Sequence, residues 1–288
     1  MLESIAMSAG TSLNFDLHCH STASDGVLSP SALVERAAAK GVDVLSLTDH
    51  DDLAGLAEAA AAARVKGVRF VPGVEISVTW GGVTVHIVGL GIDPENPALV
   101  AHLESVRSSR GRRAERIAAE LAAIGIDGTL EGAYDYAENP QLVGRTHFAR
   151  YLVERGYARD LAGVFKQYLV SGKPGYVPHE WAKLADAVAW IRASGGRAVV
   201  AHPGRYKFSG AEQRLFLTEF KEVGGEGIEV VTGSHSTRQY TEFARLAREF
   251  DLLASRGSDF HGPDESPVDV GGLPPLAGDL KPVWHDWG

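Results

Sequence analysis

Short apolar runs alternate with amphipathic stretches over residues 13–92. The runs FDL, VDVLSLTDH, VRFVPGVEISV and VTVHIVGLG predict strands, and the alanine-rich stretches between them predict helices. Asp51 or Asp52 is expected to cap the second helix, because a short carboxylate accepts the free N–H groups of a first turn. This β-α-β-α-β order with a Gly81-Gly82 hairpin turn indicates an α/β fold built on a parallel sheet or barrel.

The alternation stops after Pro94 and resumes only after Pro178. Residues 98–123 predict one long helix, and its row of arginines from Arg107 to Arg116 is interpreted as a solvent-exposed face. Shorter helical segments follow without a strand pattern. We therefore expect three parts: a flexible start at 1–12, a barrel formed by 13–97 and 178–288, and a helical insertion at 98–177.

After Pro178 a helix is predicted at 181–193, and the runs RAVVAHPG, GIEVVTGSH and LLASRGSDFHG predict further strands. Histidine and carboxylate side chains lie at or just past the C-terminal ends of most predicted strands. In α/β barrels this edge is where catalytic residues collect. The candidate metal ligands are His18, His20, Asp25, His50, Glu75, His86, His202, Asp259 and His261.

Imidazoles and carboxylates without a cysteine pair suit divalent cations such as Zn²⁺, Mn²⁺ or Fe²⁺. His18 and His20 project to the same side of an extended strand, so both can bind one ion. One ion rarely takes more than roughly four to six protein ligands, so the set predicts two or three ions with a bridging carboxylate. Considered singly, His86 is typical of a core histidine and Asp25 of a turn residue; chance placement of the whole set is improbable.

Composition limits the partners. A net charge of −9 argues against broad binding to nucleic acid or anionic membrane, although a local basic pocket for a small anion remains compatible with it. Cys19 is the only cysteine, which excludes an internal disulfide and fits a reducing cytoplasm. We therefore expect a cytoplasmic protein with neither a membrane partner nor a stable nucleic-acid complex.

The motifs HCHSTASDG, LTDHD, PGVEIS, VHIVG, AHPGR and GSDFHG follow in this order over residues 15–262. They resemble the polymerase and histidinol phosphatase (PHP) family of amidohydrolase-like metal phosphoesterases. The resemblance implies a distorted seven-stranded β/α barrel with a trinuclear metal centre, for which Mn²⁺ is favoured and Zn²⁺ or Fe²⁺ are the alternatives. It assigns His18, His20, Glu75 and Asp259 to one ion, Glu75 with His86 and His202 to a second, and Asp25, His50 and His261 to a third.

The segments GRTHFAR and GKPGYVP, with AHPGR, look like one branch of that family. The branch contains 3′,5′-nucleoside bisphosphate phosphatases and 5′→3′ exoribonucleases of the RNase AM type, although it more often has Pro where Thr146 stands. Arg145, Lys173 and Arg205 lie in Gly/Pro-flanked loops of these segments, and such cations suit a phosphate. We expect them to bind a phosphate that is not cleaved. The helical insertion is expected to form a cap over the mouth of the barrel.

The resemblance implies metal-dependent hydrolysis of a phosphoester, in which a hydroxide held between two ions through Glu75 attacks phosphorus. His235 is a candidate acid for the leaving group, and Tyr176 or His147 is a candidate to face a base, with plain packing as the alternative. The expected substrate is the 3′-phosphate of a 3′,5′-nucleoside bisphosphate, or short 5′-phosphorylated RNA. The alternatives are a phosphatase for histidinol phosphate or another small molecule, and a non-catalytic metal-binding module.

Overall fold

The computed structural model describes residues 13–287, so the flexible start predicted for residues 1–12 lies outside the described residues. The strands are β1 Phe15–Asp16, β2 Val44–Leu47, β3 Arg69–Trp80, β4 Val83–Leu90, β5 Ala182–Lys183, β6 Arg197–Val200, β7 Gly227–Thr232 and β8 Leu253–Gly257. The helices are α1 Pro30–Ala39, α2 Leu56–Lys66, α3 Pro97–Ser108, α4 Arg110–Ala122, α5 Thr129–Tyr134, α6 Arg145–Glu154, α7 Leu161–Val164, α8 Leu184–Ala193, α9 Gly210–Glu222 and α10 Thr237–Glu249. None of the helices in this part of the chain combines the length and apolar character needed to cross a bilayer.

Seven strands form a nearly closed barrel in the order β1, β2, β3, β4, β6, β7, β8. Neighbouring strands are parallel except at β4, which runs antiparallel to both β3 and β6. The ends of β1 and β8 meet where the Leu17 N–H donates to the Arg256 carbonyl at 3.1 Å and the Asp259 N–H donates to the His18 carbonyl at 2.8 Å. The predicted fold class, a distorted seven-stranded α/β barrel, is confirmed.

The outer face of the barrel carries the main hydrophobic core. Leu45 and Leu47 of β2 and Ile76 of β3 are fully buried there against Leu33 and Val34 of α1. Alternate positions along a strand point to opposite faces, so the remaining positions of the same strands point into the barrel. Val44 and Val71 at inward positions fill the barrel interior, and Glu75 of β3, also at an inward position, belongs to the site described below.

The C-terminal segment closes one end of the barrel. Trp284 stacks on Phe15 with ring centroids 4.0 Å apart, and the Val283 N–H donates to the Ala254 carbonyl at 2.8 Å. Arg197, the first residue of β6, donates to the Val283 carbonyl. Because these contacts lie at the N-terminal ends of strands, the segment seals the end of the barrel remote from the candidate ligands.

The predicted cap of α2 is wrong. The helix begins at Leu56 with Gly55 as its N-cap and no side-chain cap. Asp52 instead accepts the N–H groups of Leu53 and Ala54 at 2.6 and 2.9 Å, in the loop before the helix. Asp51 turns away from the helix altogether, because its carboxylate binds groups of β3 and α4.

Two further helix boundaries differ from the prediction. The long helix expected at 98–123 is interrupted at Ser109, whose hydroxyl contacts the Val106 carbonyl and His179 Nε2 at 2.7 and 2.8 Å. The helix expected from residue 181 begins at Leu184. The preceding residues pair with β3 as β5, where Thr79 Oγ1 accepts the Trp181 N–H at 2.9 Å. Both differences depend on contacts that are distant along the chain.

The chain between β4 and β5 is helical, and the structure places no strand between Leu90 and Ala182. The first helix, α3, buries Leu99 and Leu103 in the barrel core. From α4 onward the helices share a separate hydrophobic core. The barrel is therefore accompanied by a second hydrophobic centre, and the domain boundaries at 98 and 177 stay a prediction.

Candidate metal centre

The loop after β1 carries three of the predicted ligands and is held by a buried carboxylate. Asp49, beyond the end of β2, accepts the Ser21 N–H at 2.8 Å and the Ser21 and Ser24 hydroxyls at 2.6 and 2.5 Å. Burial raises the pKa of Asp49 to about 6, although the hydrogen bonds from Ser21 and Ser24 act to lower it. A Cβ on Gly26 would lie 2.4 Å from the His20 carbonyl oxygen, so this tight turn requires glycine.

The structure brings all nine predicted ligands together at the C-terminal end of the barrel. They form four overlapping groups, in each of which one ligand atom per residue lies within 4.8 Å of the others. The groups are His20, Asp25, His50 and His261; His18, Glu75 and His202; His18, His20 and Asp259; and His50, Glu75 and His86.

The first centre lies between the two histidines of the His-x-His motif. His18 Nε2 and His20 Nε2 are 3.1 Å apart. They lie 3.4 and 3.3 Å from Glu75 Oε2 and 3.6 and 3.3 Å from Asp259 Oδ1. Ligand atoms around a tetrahedral cation with bonds of about 2.0–2.1 Å are about 3.3 Å apart. The side chains are therefore spaced like the ligands of one ion.

Glu75 presents its two oxygens to different partners. Its Oε1 lies 3.1 Å from His86 Nδ1 and 2.9 Å from His202 Nε2, away from the first centre. Its Oε2 lies 2.9 Å from His50 Nδ1. Each oxygen of the Glu75 carboxylate therefore faces a different group of imidazoles. This is the geometry of a carboxylate that bridges two metal ions.

Asp25 is the centre of the remaining contacts. Its Oδ1 lies 3.3 Å from His261 Nε2 and 3.9 Å from both His20 Nδ1 and His50 Nε2. The Thr146 hydroxyl donates to its other oxygen at 2.9 Å, which connects α6 to the barrel. His20 and His50 thus face two centres with their two ring nitrogens, and the assignment of each to a single ion stays a prediction.

The chemistry of the cluster fits bound cations. A buried polar atom without a partner is costly, and such atoms are rare in folded proteins. Among the described residues, five ring nitrogens and carboxylate oxygens of the cluster are buried without a hydrogen bond of good geometry: His20 Nδ1, Asp25 Oδ1, His50 Nδ1, Glu75 Oε2 and His202 Nδ1. Cations at these positions would satisfy them.

The carboxylates of the cluster outweigh the effect of burial and raise the pKa of His18, His50 and His261, that of His261 to about 9, whereas Glu75 and His20 have metal-binding protonation states. Burial acts to raise the pKa of Glu75, but the charges of His86, His50 and His18 hold it well below its ordinary value. Burial lowers the pKa of His20 to about 3, so its imidazole is neutral and has a free lone pair. The anionic carboxylate and the neutral imidazole are the forms that ligate metals.

Glu229 contacts two of the candidate ligands, and the sequence interpretation did not single it out. Its Oε1 lies 2.8 Å from His18 Nδ1, which fixes the proton on that nitrogen and leaves Nε2 free for a metal. Its Oε2 accepts the His202 N–H at 2.6 Å, where His202 has a φ of +25°, unusual for a residue with a Cβ. A glutamate in the apolar strand GIEVVT was the available signal, because a buried charge requires partners.

The interpretation of the arginine row as a solvent-exposed face is wrong for Arg110 and Arg113. Arg110 and Arg113 are 8% and 7% exposed and line the cavity above the ligand cluster, whereas Arg112 and Arg116 are exposed. Arg110 and Arg113 stand four residues before Ala114 and Ile117, on the apolar side of α4, and this spacing was the available signal. One side of α4 therefore supplies cations to the site.

Arg110 connects the helical region to the loop that carries His50. Its guanidinium binds the Asp51 carboxylate, which also accepts the Ser77 N–H and hydroxyl at 2.7 and 2.9 Å. Arg107 donates to the Asp51 carbonyl at 2.8 Å. These contacts hold Asp51, at a φ of +52°, directly next to a predicted ligand.

The predicted phosphate-binding cations have different positions. Arg145 and Arg205 line the cavity, and Arg205 donates to Asp259 Oδ2 at 2.8 Å. Lys173 is exposed and does not belong to the cavity lining that the structure describes. The cavity therefore has four arginines around it, because Arg110 and Arg113 join the two that the sequence indicated.

The predicted base-facing residues also lie outside that lining. His147 is buried, and its Nδ1 accepts the Gly144 N–H at 3.0 Å as a cap of α6. Tyr176 is half-buried near Arg113 and Arg145. Trp181, which the sequence interpretation did not single out, does line the cavity.

His235, the candidate acid, has both ring nitrogens engaged. Its Nδ1 donates to the Val230 carbonyl at 3.1 Å, and its Nε2 accepts the Gly204 N–H at 2.9 Å. Burial lowers the pKa of His235 to about 4, which fits a neutral ring. The geometry gives His235 a structural role: it holds the turn Pro203–Arg205, which carries Arg205.

Known proteins provide an independent comparison. The model of the PHP domain matches residues 16–194. The chain is 51% identical over 276 residues to the 3′,5′-nucleoside bisphosphate phosphatase of Chromobacterium violaceum, which covers 95% of this chain and 96% of that protein. It is 43% identical over 275 residues to the 5′-3′ exoribonuclease Rnm of Escherichia coli, with 95% and 93% covered. The solved structure of an amidohydrolase from Chromobacterium violaceum, with bound sulfate and no metal, matches with a TM-score of 0.92 at 51% identity over 95% of both chains.

A nearly closed α/β barrel with imidazoles and carboxylates at its C-terminal end defines a metal-dependent hydrolase. With the domain match and these relatives, the chain belongs to the PHP family, as the sequence motifs predicted. The predicted enzyme class, a metal-dependent phosphoester hydrolase, is confirmed by relatives named as a phosphatase and an exoribonuclease.

Proposed function

We propose that this protein removes the 3′-phosphate from 3′,5′-nucleoside bisphosphates such as adenosine 3′,5′-bisphosphate. The observation that carries the proposal is that one cavity contains two groups of residues that can bind phosphate, the metal ligands and a set of arginines. Metal ligands occupy the barrel end, and Arg110, Arg113 and Arg145 from α4 and α6 line the same cavity. A substrate with two phosphate groups matches both sets, and the phosphatase of Chromobacterium violaceum supports this choice.

The nine ligands are proposed to hold two or three divalent ions, with Mn²⁺ favoured because imidazoles are mixed with several hard carboxylates. Such ions, when bound, polarise phosphoryl oxygens and lower the pKa of water to about 7. The oxygen of one water molecule forms a bond to phosphorus, and the bond from phosphorus to the ribose 3′-oxygen breaks. The proton ends on that ribose oxygen, which leaves a nucleoside 5′-monophosphate and inorganic phosphate.

The protein's own residues orient this reaction. Glu229 and Asp49 fix the rotamers and backbone around the ligands, so the site is organised before substrate binds. Arg205, beside Asp259, lies where it can neutralise charge on the phosphate that is cleaved. Arg145 also lines the cavity, and the second phosphate is proposed to bind there.

A second activity, on short 5′-phosphorylated RNA, is supported by the exoribonuclease relative. The first nucleotide of 5′-phosphorylated RNA carries a 5′-phosphate and a phosphodiester on its 3′-oxygen. A 3′,5′-nucleoside bisphosphate carries a 5′-phosphate and a 3′-phosphate on the same nucleoside, so the two substrates place their phosphate groups alike. Histidinol phosphate has a single phosphate, so the arginines of α4 and α6 would have no phosphate to bind. The cytoplasmic location stays a prediction from the single cysteine.

The test is phosphate release by Mn²⁺-loaded protein from adenosine 3′,5′-bisphosphate, histidinol phosphate and a 5′-phosphorylated RNA trinucleotide, with nucleotide products separated by chromatography. We expect the highest kcat/KM for the bisphosphate and adenosine 5′-monophosphate as its product. A higher kcat/KM for histidinol phosphate, or adenosine 3′-monophosphate as the product, would contradict the proposal.

A further inference from the structure

We propose that Arg113 and Arg145, backed by Trp181, form the seat of the substrate phosphate that is not cleaved. We call these three residues the remote-phosphate site. The inference deepens the proposed function and rests on it. In the set of residues expected to bind this phosphate, the buried Arg113 of α4 takes the place of the exposed Lys173. The ligand class is a phosphate monoester dianion, which a nucleoside 5′-phosphate provides.

The first step is the pairing of charges around the cavity. Arg110 binds Asp51, and Arg205 binds Asp259. Among residues 13–287, no carboxylate forms an ion pair with Arg113 or Arg145, although Arg113 is 7% exposed. A guanidinium group stays charged in proteins, and an unpaired buried charge is costly. These two groups therefore lack an anion that a ligand can supply.

The second step is the orientation of the two groups. Arg113 Nε donates to the Val177 carbonyl at 3.2 Å, which leaves its terminal nitrogens free. One Arg145 nitrogen, Nη1, donates to the Leu169 carbonyl at 3.3 Å. Both side chains line the cavity, and each keeps N–H groups in the planar arrangement that binds phosphate oxygens in pairs.

The third step is the support behind Arg113. Its guanidinium lies 5.2 Å from the Trp181 ring centre, and that of Arg110 lies 4.7 Å from it. Contact with an aromatic face restricts a guanidinium and compensates part of its lost hydration. Trp181 therefore acts as a positioning residue that keeps two like charges side by side.

The fourth step is the position relative to the metal centre. Arg145 begins α6, and its neighbour Thr146 donates to Asp25, a predicted ligand. Gly144, Arg145 and Thr146 line the cavity, so the positive end of α6 faces the same space. The remote-phosphate site and the metal centre thus line the same cavity, as a substrate with two phosphate groups requires.

The experiment compares Arg113→Ala and Arg113→Lys with Arg116→Ala, a matched control because Arg116 is an exposed arginine one turn further along α4. With Mn²⁺-loaded protein, kcat/KM is measured for adenosine 3′,5′-bisphosphate and for adenosine 3′-monophosphate. Arg113→Ala should lower the first roughly 10- to 150-fold, the effect of losing one charge-assisted contact, and the second by less than about threefold. Arg113→Lys should recover part of the loss.

Calorimetric titration separates this inference from the proposed function. Adenosine 5′-monophosphate carries only the remote phosphate, and adenosine carries none. Arg113→Ala should weaken the monophosphate roughly 10- to 150-fold and leave adenosine unchanged. Equal losses on both substrates, or unchanged monophosphate affinity, would overturn the remote-phosphate site. A wild-type protein that binds the monophosphate through Arg113 but hydrolyses no bisphosphate would instead overturn the proposed function.

Discussion

Glu75→Gln tests the metal centre most directly. Glu75 is fully buried, and its two oxygens lie within 3.4 Å of five imidazole nitrogens, those of His18, His20, His50, His86 and His202. Glutamine preserves the volume and one oxygen. It replaces the other oxygen with an N–H donor and removes the negative charge that two ions would share.

The magnitude follows from two lost charge-assisted contacts. Each is worth about 1.5–3 kcal/mol, so together they amount to about 3–6 kcal/mol. At about 1.4 kcal/mol per factor of ten, metal binding should weaken roughly 10²- to 10⁴-fold. We expect purified Glu75→Gln to retain less metal than the wild type after desalting and to lose phosphatase activity at limiting Mn²⁺.

The assay is metal content per chain by mass spectrometry of the digested protein, with turnover measured on the same samples. Glu104→Gln is the control, because Glu104 is an exposed glutamate of α3. Far-UV circular dichroism should be the same for both variants. Wild-type metal content combined with wild-type turnover in Glu75→Gln would exclude Glu75 from the centre.

Three further predictions concern the support of the site. Glu229→Gln should weaken Mn²⁺ binding roughly 10- to 100-fold in a metal titration, because His18 and His202 lose a common anchor; unchanged affinity would contradict this. Gly257→Ala should destabilise the protein by about 1–3 kcal/mol in urea, because its Cβ would lie 2.2 Å from His18 Cβ, whereas Gly278→Ala, with no atom within 4 Å, should change stability by less than about 0.5 kcal/mol. Addition of Mn²⁺ at about 100 times its Kd should raise the Tm of metal-free protein by roughly 5–10 °C, and a Tm that does not respond would argue against the metal centre.

Much of the barrel and the candidate ligands could be predicted from the sequence. The apolar runs of strand length and the amphipathic helices between them are local patterns, so they can be recognised in the sequence. Their alternation indicates a parallel sheet. His18, His202 and Asp259 are widely separated along the chain, yet each lies just past the end of a strand. The C-terminal ends of barrel strands meet at one mouth, so the topology alone brings such residues together.

The partners of charged residues could not be predicted in this way. Arg113 and Arg116 lie three residues apart on one helix, but only Arg113 faces the cavity. The aromatic partner of Arg110 and Arg113 is Trp181, which is far away in sequence. His235 similarly follows a strand like a catalytic residue, but contacts with Val230 and Gly204 occupy both of its nitrogens.

The sequence by itself determined the element types, the barrel class and the chemical nature of the ligands. The tertiary structure decided where helices are interrupted, which arginines are buried, and which charges already have a partner. The physical reason is the range of the interactions. Backbone periodicity acts over a few residues, whereas desolvation and ion pairing depend on every group packed around a side chain. The roles of Glu229 and Arg113 belong to the second kind, because both are determined by neighbours from other elements.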